Sequence, residues 1–326
     1  MRAIIPVAGV GSRLRPHTYT LPKVLLNVAG KPILGHILDK IVADGFTEAT
    51  VVIGDMGEKV REYVDTHYNN KLAIEYVEQH NRKGLAHSIY IAKDTFSDEP
   101  ILIILGDTIY DVDLSHILKG DYSSLGVKKV DDPRRFGVVE MNGKFISRLV
   151  EKPDIPLSNL AIVGLYFIKH PQLLVRSLEK VMTEGIKTKG EYQLTDALEL
   201  MVQAGEKMTT FDVEGWYDCG KPETLLSTNK YLLRRYGTEV QVDGNLIIPQ
   251  VSISSKAKIT NSIIGPYTTI ADDVKIEESI VRNSIISEDA KVEKAMLDNS
   301  IIGNNAVVKG GYKRINLGDS SEIDFY

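Results

Sequence analysis

The sequence predicts an α/β protein in two parts: residues 1–236 form a domain on an open, mostly parallel sheet, and residues 237–326 a small parallel β-helix. Three observations predict it. Apolar strand-like runs alternate with stretches of helical spacing up to Gly106, the grammar of a parallel sheet covered on both faces. From about residue 240, branched apolar residues recur every six positions, a period that no helix produces and stacked short strands do. The length of 326 residues also exceeds what a single core usually serves.

The elements follow in order. Ile4–Val7 reads as a buried strand. Pro32 suits a helix start, and Ile33, Leu34, Ile37, Leu38 and Ile41 keep helical spacing until Gly45 closes the element. "ATVVIG" is a second strand, and "GEKVREYVDTHY" a charged helix with Val60, Tyr63, Val64 and His67 on one side. "LAIEYV" is a third strand, "GLAHSIYIAKD" a third helix and "ILIIL" a fourth strand ending at Gly106. Ligands of such sheets sit beyond the carboxyl ends of the strands, where the loop after Val7 and the "GDT" turn both fall. In the tail the recurring positions are Ile247, Ile253 and Ile259, then Ile264, Ile270 and Ile276. Ile280, Ile286 and Val292 follow, then Met296, Ile302 and Val308, each trio beginning sixteen or seventeen residues after the last. "NSII" stands at Asn261, Asn283 and Asn299. This pattern resembles the left-handed β-helix of hexapeptide-repeat proteins, with three faces per coil and branched side chains pointing inward.

A net charge of −5 argues against bulk attraction to nucleic acid or an anionic membrane, and no apolar run is long enough to span a bilayer. The amino terminus reads as a first strand and not as a secretion signal. The one cysteine, Cys219, cannot form an internal disulfide, so a cytoplasmic location is expected. The charge is unevenly spread: Arg2, Arg13, Arg15, Lys23, Lys31 and Lys40 precede residue 41, opposed only by Asp39.

Within that basic stretch lies "PVAGVGSRL". Gly9 and Gly11, beside Ala8 and Ser12, let backbone N–H groups approach phosphate oxygens that side chains would otherwise block. Arg13 adds a planar donor fork and Lys23 a movable point charge. The Gly-Lys-Ser/Thr of a P-loop is absent, and Leu14 stands where a dinucleotide loop would want its third glycine. Asp107 and Asp218 each read as a cap or turn residue. With a triphosphate nearby they read equally as hard oxygen ligands for Mg²⁺. Cys219, with no base close to it in sequence, reads as packing.

The pattern "AGVGSRLRPHTYTLPKVLLNVAGKP" resembles the signature of sugar-1-phosphate nucleotidylyltransferases, and the resemblance extends to about Tyr236. It implies a Rossmann-like nucleotidyltransferase domain that joins a nucleoside triphosphate to a sugar 1-phosphate and releases pyrophosphate. It further implies Gln79 and the backbone of Gly84 at a pyrimidine base, and Mg²⁺ on Asp107 and Asp218. On the sugar side it implies Gly137, Glu151, Lys152, Ile162, Gly164 and Lys189, with Lys152 on the sugar phosphate. Arg13, Lys23 and Lys152 are the expected catalytic cations.

Departures from the family concentrate near the sugar. Thr108 stands where many relatives carry Asn, Phe136 where many carry Tyr, and Lys189 where thymidylyltransferases commonly carry Arg. "IPVAGVGSR" is closer to uridylyltransferases and "WYDCGKPETLL" to thymidylyltransferases, so the expected triphosphate is UTP or dTTP, the two left unseparated, with glucose 1-phosphate as the hexose. The alternatives are a mannose-1-phosphate guanylyltransferase-like enzyme or a non-catalytic sugar-nucleotide-binding subunit. Acetyl transfer by the tail is not expected: such chemistry needs a base, and all seven histidines lie at or before His170. The tail is expected to serve homo-oligomer contacts.

Overall fold

The computed structural model describes residues 1–311 and residue 321. By contacts the chain divides into two compact units, one of Met1–Leu26 with Lys31–Thr228, the other of Asn27–Gly30 with the chain from Asn229 onward. The first unit is an α/β domain built on one large sheet.

Its sheet has nine strands. Arg2–Pro6 runs parallel to both Glu48–Ile53 and Ile101–Ile104, and Ala73–Glu78 extends the parallel half at the edge. The other half turns on Leu160–Ile168, which pairs antiparallel with Ile101–Ile104 and with Ser123–Lys129. The parallel half is where strand and helix alternate in sequence. Helix Ile33–Ala43 buries Ile33, Leu34, Ile37, Leu38 and Ile41 as its spacing requires. Helix Gly57–Tyr68 buries Val60 and Val64 but leaves His67 exposed; Tyr68 is the buried residue instead. The Tyr68 hydroxyl donates to Asp39 and the Gly35 carbonyl on the neighbouring helix, which keeps a polar tip satisfied inside the packing.

In the second unit, three parallel sheets of four strands each make the faces of a β-helix, as the left-handed hexapeptide fold requires. Its interior is lined by Ile264, Ile270, Ile276, Val281, Ile286 and Val292 among others. The expected inward positions need one correction. On the first face, Val281 and Leu297 belong to the interior cluster, whereas Met296 is 80 % exposed. Ile280 and Met296 instead continue an outer row with Leu246 and Ile263, paired in register. The reason is a change of coil length: on that face the interior positions run 247, 264, 281 and 297, so a seventeen-residue coil gives way to sixteen. The three "NSII" asparagines sit at φ 48°, 47° and 49°. Asparagine tolerates this left-handed backbone better than most residues, and it turns the coil at its corners.

Candidate active site

The site is built at the carboxyl ends of the parallel strands of the first unit. Arg2–Pro6 delivers the chain into the glycine loop, Ile101–Ile104 into Asp107, and Ala73–Glu78 into Gln79. A ribbon of Thr108–Asp111 with Gly215–Asp218 sets Asp218 opposite Thr108, and the Cys219 N–H donates to the Asp107 carbonyl at 3.0 Å. Asp107 and Asp218, 111 positions apart in sequence, thus become neighbours through main-chain pairing.

Two cavities open here. The smaller, of about 450 Å³, is lined by Ala8, Gly9, Lys23, Gln79, Gly84 and Asp107 among others. The larger, of about 1040 Å³, has Arg13, Gly137, Glu151, Lys152, Lys189 and Asp218 in its wall, together with Ile162 and Gly164. Asp107 lines both. Gly11 and Ser12 line neither; Ser12 opens the short 3₁₀ turn Ser12–Leu14 that carries Arg13. Gly11 has φ 64°, and a Cβ there would stand 2.9 Å from the Lys23 Cβ. Its place in the motif is to let Lys23 pack against the loop.

Lys23 is 9 % exposed and donates from Nζ to Asp107 Oδ2. A buried ammonium needs such a partner. Burial, and next the negative charge of Asp107, hold the Asp218 carboxyl above the usual carboxylate range; Lys23 and Arg13 pull the other way. A Cβ on Gly220 would stand 2.7 Å from Arg13 Nη2 and 2.8 Å from Asp218 Oδ1, so the glycine lets guanidinium and carboxylate close on one another. Two crowded carboxylates of raised repulsion are a donor set that a hard cation relieves. Among the described residues no group of three or more His, Cys, Asp or Glu is arranged around a metal position. A hard cation held by these two carboxylates would take its remaining ligands from oxygens outside the protein.

The smaller cavity is clamped by backbone. Gly84 has φ 115°, and a Cβ there would stand 2.3 Å from the Tyr192 carbonyl oxygen. The Tyr192 N–H donates to Lys83 and its carbonyl accepts from Ala86. Gln79 is 6 % exposed, and its amide nitrogen lies 2.9 Å from His87 Nδ1 and 3.4 Å from the Gly84 carbonyl oxygen. In the wall of the larger cavity, Glu151 accepts from the Thr195 hydroxyl at 2.7 Å and pairs with Lys152 at 3.2 Å. Lys189 pairs with Asp154 at 2.9 Å, both exposed. Phe136 meets the Trp216 ring edge to face, 5.2 Å between centroids. Cys219 is fully buried and its thiol is pushed up to about 12 by that burial, which leaves it a packing residue.

The larger cavity also holds residues that sequence reasoning did not single out: Arg134, Arg135, Thr195, Trp216 and Lys221. The adjacent arginines ahead of Phe136-Gly137 were a visible signal; Lys221 lies within "DCGKPE" but carries no local mark of a role. His87 and the Tyr192 backbone left no such signal, because each acts through a fold contact.

A crevice with a glycine loop, converging cations and two carboxylates has the chemistry to hold phosphorylated ligands. Residues 2–235 match the nucleotidyl transferase family, and the chain belongs to it. It is 37 % identical over 252 residues to the bifunctional protein GlmU of Methanocaldococcus jannaschii, covering 76 % of this chain and 59 % of that one. It is 30 % identical over 319 residues to a glucose-1-phosphate thymidylyltransferase of Streptomyces antibioticus, covering 88 % and 87 %. The crystal structure of a UDP-glucose pyrophosphorylase complexed with UDP-glucose superposes with a TM-score of 0.63 at 26 % identity, over 72 % of this chain and 98 % of that one. The activity is sugar-1-phosphate nucleotidyl transfer, with nucleotide and sugar-phosphate substrates; the family works with a divalent metal. No helix among the described residues is long and apolar enough to cross a membrane.

Proposed function

We propose that this chain joins UTP or dTTP to glucose 1-phosphate, releasing pyrophosphate, with Mg²⁺ as its metal and the cytoplasm as its location. The observation that carries the proposal is the Lys23–Asp107 pair, with Asp218 beside it, at the border of the two cavities. The smaller cavity takes the nucleoside, with Ala8, Gly9, Gln79 and Gly84 in its wall, while Gly11 and Ser12 shape the loop. The larger takes the sugar phosphate, with Gly137, Glu151, Ile162, Gly164 and Lys189 around it.

A phosphate oxygen of the sugar 1-phosphate attacks the α-phosphorus in line, and the bond to the bridging oxygen of pyrophosphate breaks. The attacking oxygen is already an anion, so no general base is needed. What the site must do is hold two mutually repelling anions in alignment. Arg13 receives the departing pyrophosphate, Lys23 steadies the α-phosphate, and Lys152 holds the attacking phosphate. Asp107 and Asp218 would hold Mg²⁺, which when bound neutralises phosphate charge. Glu151, fixed by Thr195, accepts from sugar hydroxyls.

The homo-oligomer remains part of this proposal. The outer row Leu246, Ile263, Ile280 and Met296 is an apolar strip on one face of the β-helix, suited to covering by a second copy. Pyrophosphate release from a matrix of triphosphates against hexose 1-phosphates tests the substrates. UTP or dTTP with glucose 1-phosphate is expected to lead by about tenfold or more over GTP with mannose 1-phosphate. A lead for the guanine pair would overturn the assignment.

A further inference from the structure

We propose that His87 is a positioning residue for base recognition: its unprotonated Nδ1 holds the Gln79 amide so that the carbonyl oxygen, not the nitrogen, is offered to the nucleotide. This rests on the reading of the smaller cavity as the nucleoside subsite. Gln79 lines that cavity, whereas His87 is absent from its wall and reaches the base only through Gln79.

A carboxamide turned end for end keeps its shape, so the groups around it decide which end faces where. Here the Gly84 carbonyl oxygen, 3.4 Å from Nε2, decides it. A carbonyl only accepts, so the end of the amide beside it is the NH₂. The second N–H then points at His87 Nδ1, 2.9 Å away, which must accept, and the ring proton sits on Nε2. Burial first, and the Lys83 ammonium second, lower the basicity of this imidazole and keep it neutral near pH 7. With both N–H groups engaged, the oxygen is what Gln79 has left for a ligand.

That orientation sorts bases. Uracil and thymine present an N–H at N3 and guanine one at N1, each a donor to the Gln79 oxygen. Cytosine and adenine present a bare ring nitrogen at the matching place. Two acceptors would then face each other in a buried site, a mismatch that costs about ten- to hundredfold in affinity. Without His87 the amide loses one of the two contacts that orient it, and a turned amide would accept the bases it now refuses.

The test is calorimetric binding of UTP, dTTP and CTP to the full chain and to three variants, His87→Ala, His87→Asn and His87→Gln, with melting curves for each. Wild type is expected to bind UTP and dTTP at least about tenfold tighter than CTP. His87→Ala should shrink that preference about tenfold. His87→Asn, whose side-chain oxygen falls where Nδ1 accepts, should stay within about threefold of wild type. His87→Gln places its oxygen further out and serves as the loss variant should His87→Ala fail to fold. The proposal is overturned if wild type binds CTP as tightly as UTP. It is also overturned if folded loss variants keep the full preference, or if His87→Asn loses as much as they do. Pyrophosphate release by wild type, run alongside, separates the two readings: selective UTP binding without release refutes nucleotidyl transfer and leaves the role of His87 standing.

Discussion

The two walls of the site are built on different principles. On the nucleotide side, Lys23 and Gln79 are each less than a tenth exposed and are held by Asp107, His87 and main chain. On the sugar side, the cationic side chains reach into solvent: Lys152 is 35 % and Lys189 53 % exposed, and Lys189 leans on Asp154, itself 88 % exposed. Lys23 is set by folding, so on the proposed reading it needs no reordering when the triphosphate arrives. The sugar wall is set by ion pairs that water competes for, each worth about 0–1 kcal/mol. On the proposed reading, the choice of base therefore rests on buried, fixed groups and the choice of sugar on exposed ones.

The largest effect should come from the residue that both walls share. Asp107→Ala removes a proposed metal ligand and leaves the Lys23 ammonium without its partner. Turnover should fall at least about a thousandfold. Stability should drop by about 1–3 kcal/mol, less than for a fully buried pair because a third of Asp107 is exposed. Pyrophosphate release and denaturant midpoints measure the two separately. Next comes the same contrast of inside and outside in the β-helix. Val281→Asp places a carboxylate in the interior and should cost more than about 3 kcal/mol. Met296→Asp, one coil on and outward, should stay within about 0.5 kcal/mol in the unassembled chain. Equal losses would restore Met296 to the interior.

Lys189→Ala should raise KM for the sugar phosphate by less than about tenfold and leave kcat nearly unchanged, since an exposed pair contributes little. A loss on the scale of Asp107→Ala would erase the distinction between the walls. The smallest effect concerns Cys219. Its thiol, raised to about 12, carries roughly one part in ten thousand of thiolate at pH 8. Alkylation by iodoacetamide should be negligible in the folded protein at pH 8, climb only as pH approaches that value, and be complete after denaturation.

The nucleotide wall was largely legible in sequence because backbone requirements leave local marks. Gly9, Gly11 and Pro22-Lys23 are written together, and the strand that delivers Asp107 is a continuous apolar run. The β-helix was legible for a similar reason, apart from the coil that shortens by one residue near Val281. What sequence did not reveal acts at a distance: Tyr192 closing on Gly84, Thr195 bracing Glu151, and His87 behind Gln79. Such contacts join segments separated by loops whose path no local pattern records. The antiparallel half around Leu160–Ile168 shows the same limit, since an apolar run reads alike in either direction.

Direct transfer, with no covalent intermediate on the protein, is the central claim, and Cys219 is too buried and too weakly acidic to carry one. Chirality at phosphorus tests it most directly. With an α-thio triphosphate of known configuration, the sugar nucleotide product should show inversion at the α-phosphorus. Retention would mean two displacements in sequence, and would contradict in-line attack by the sugar phosphate.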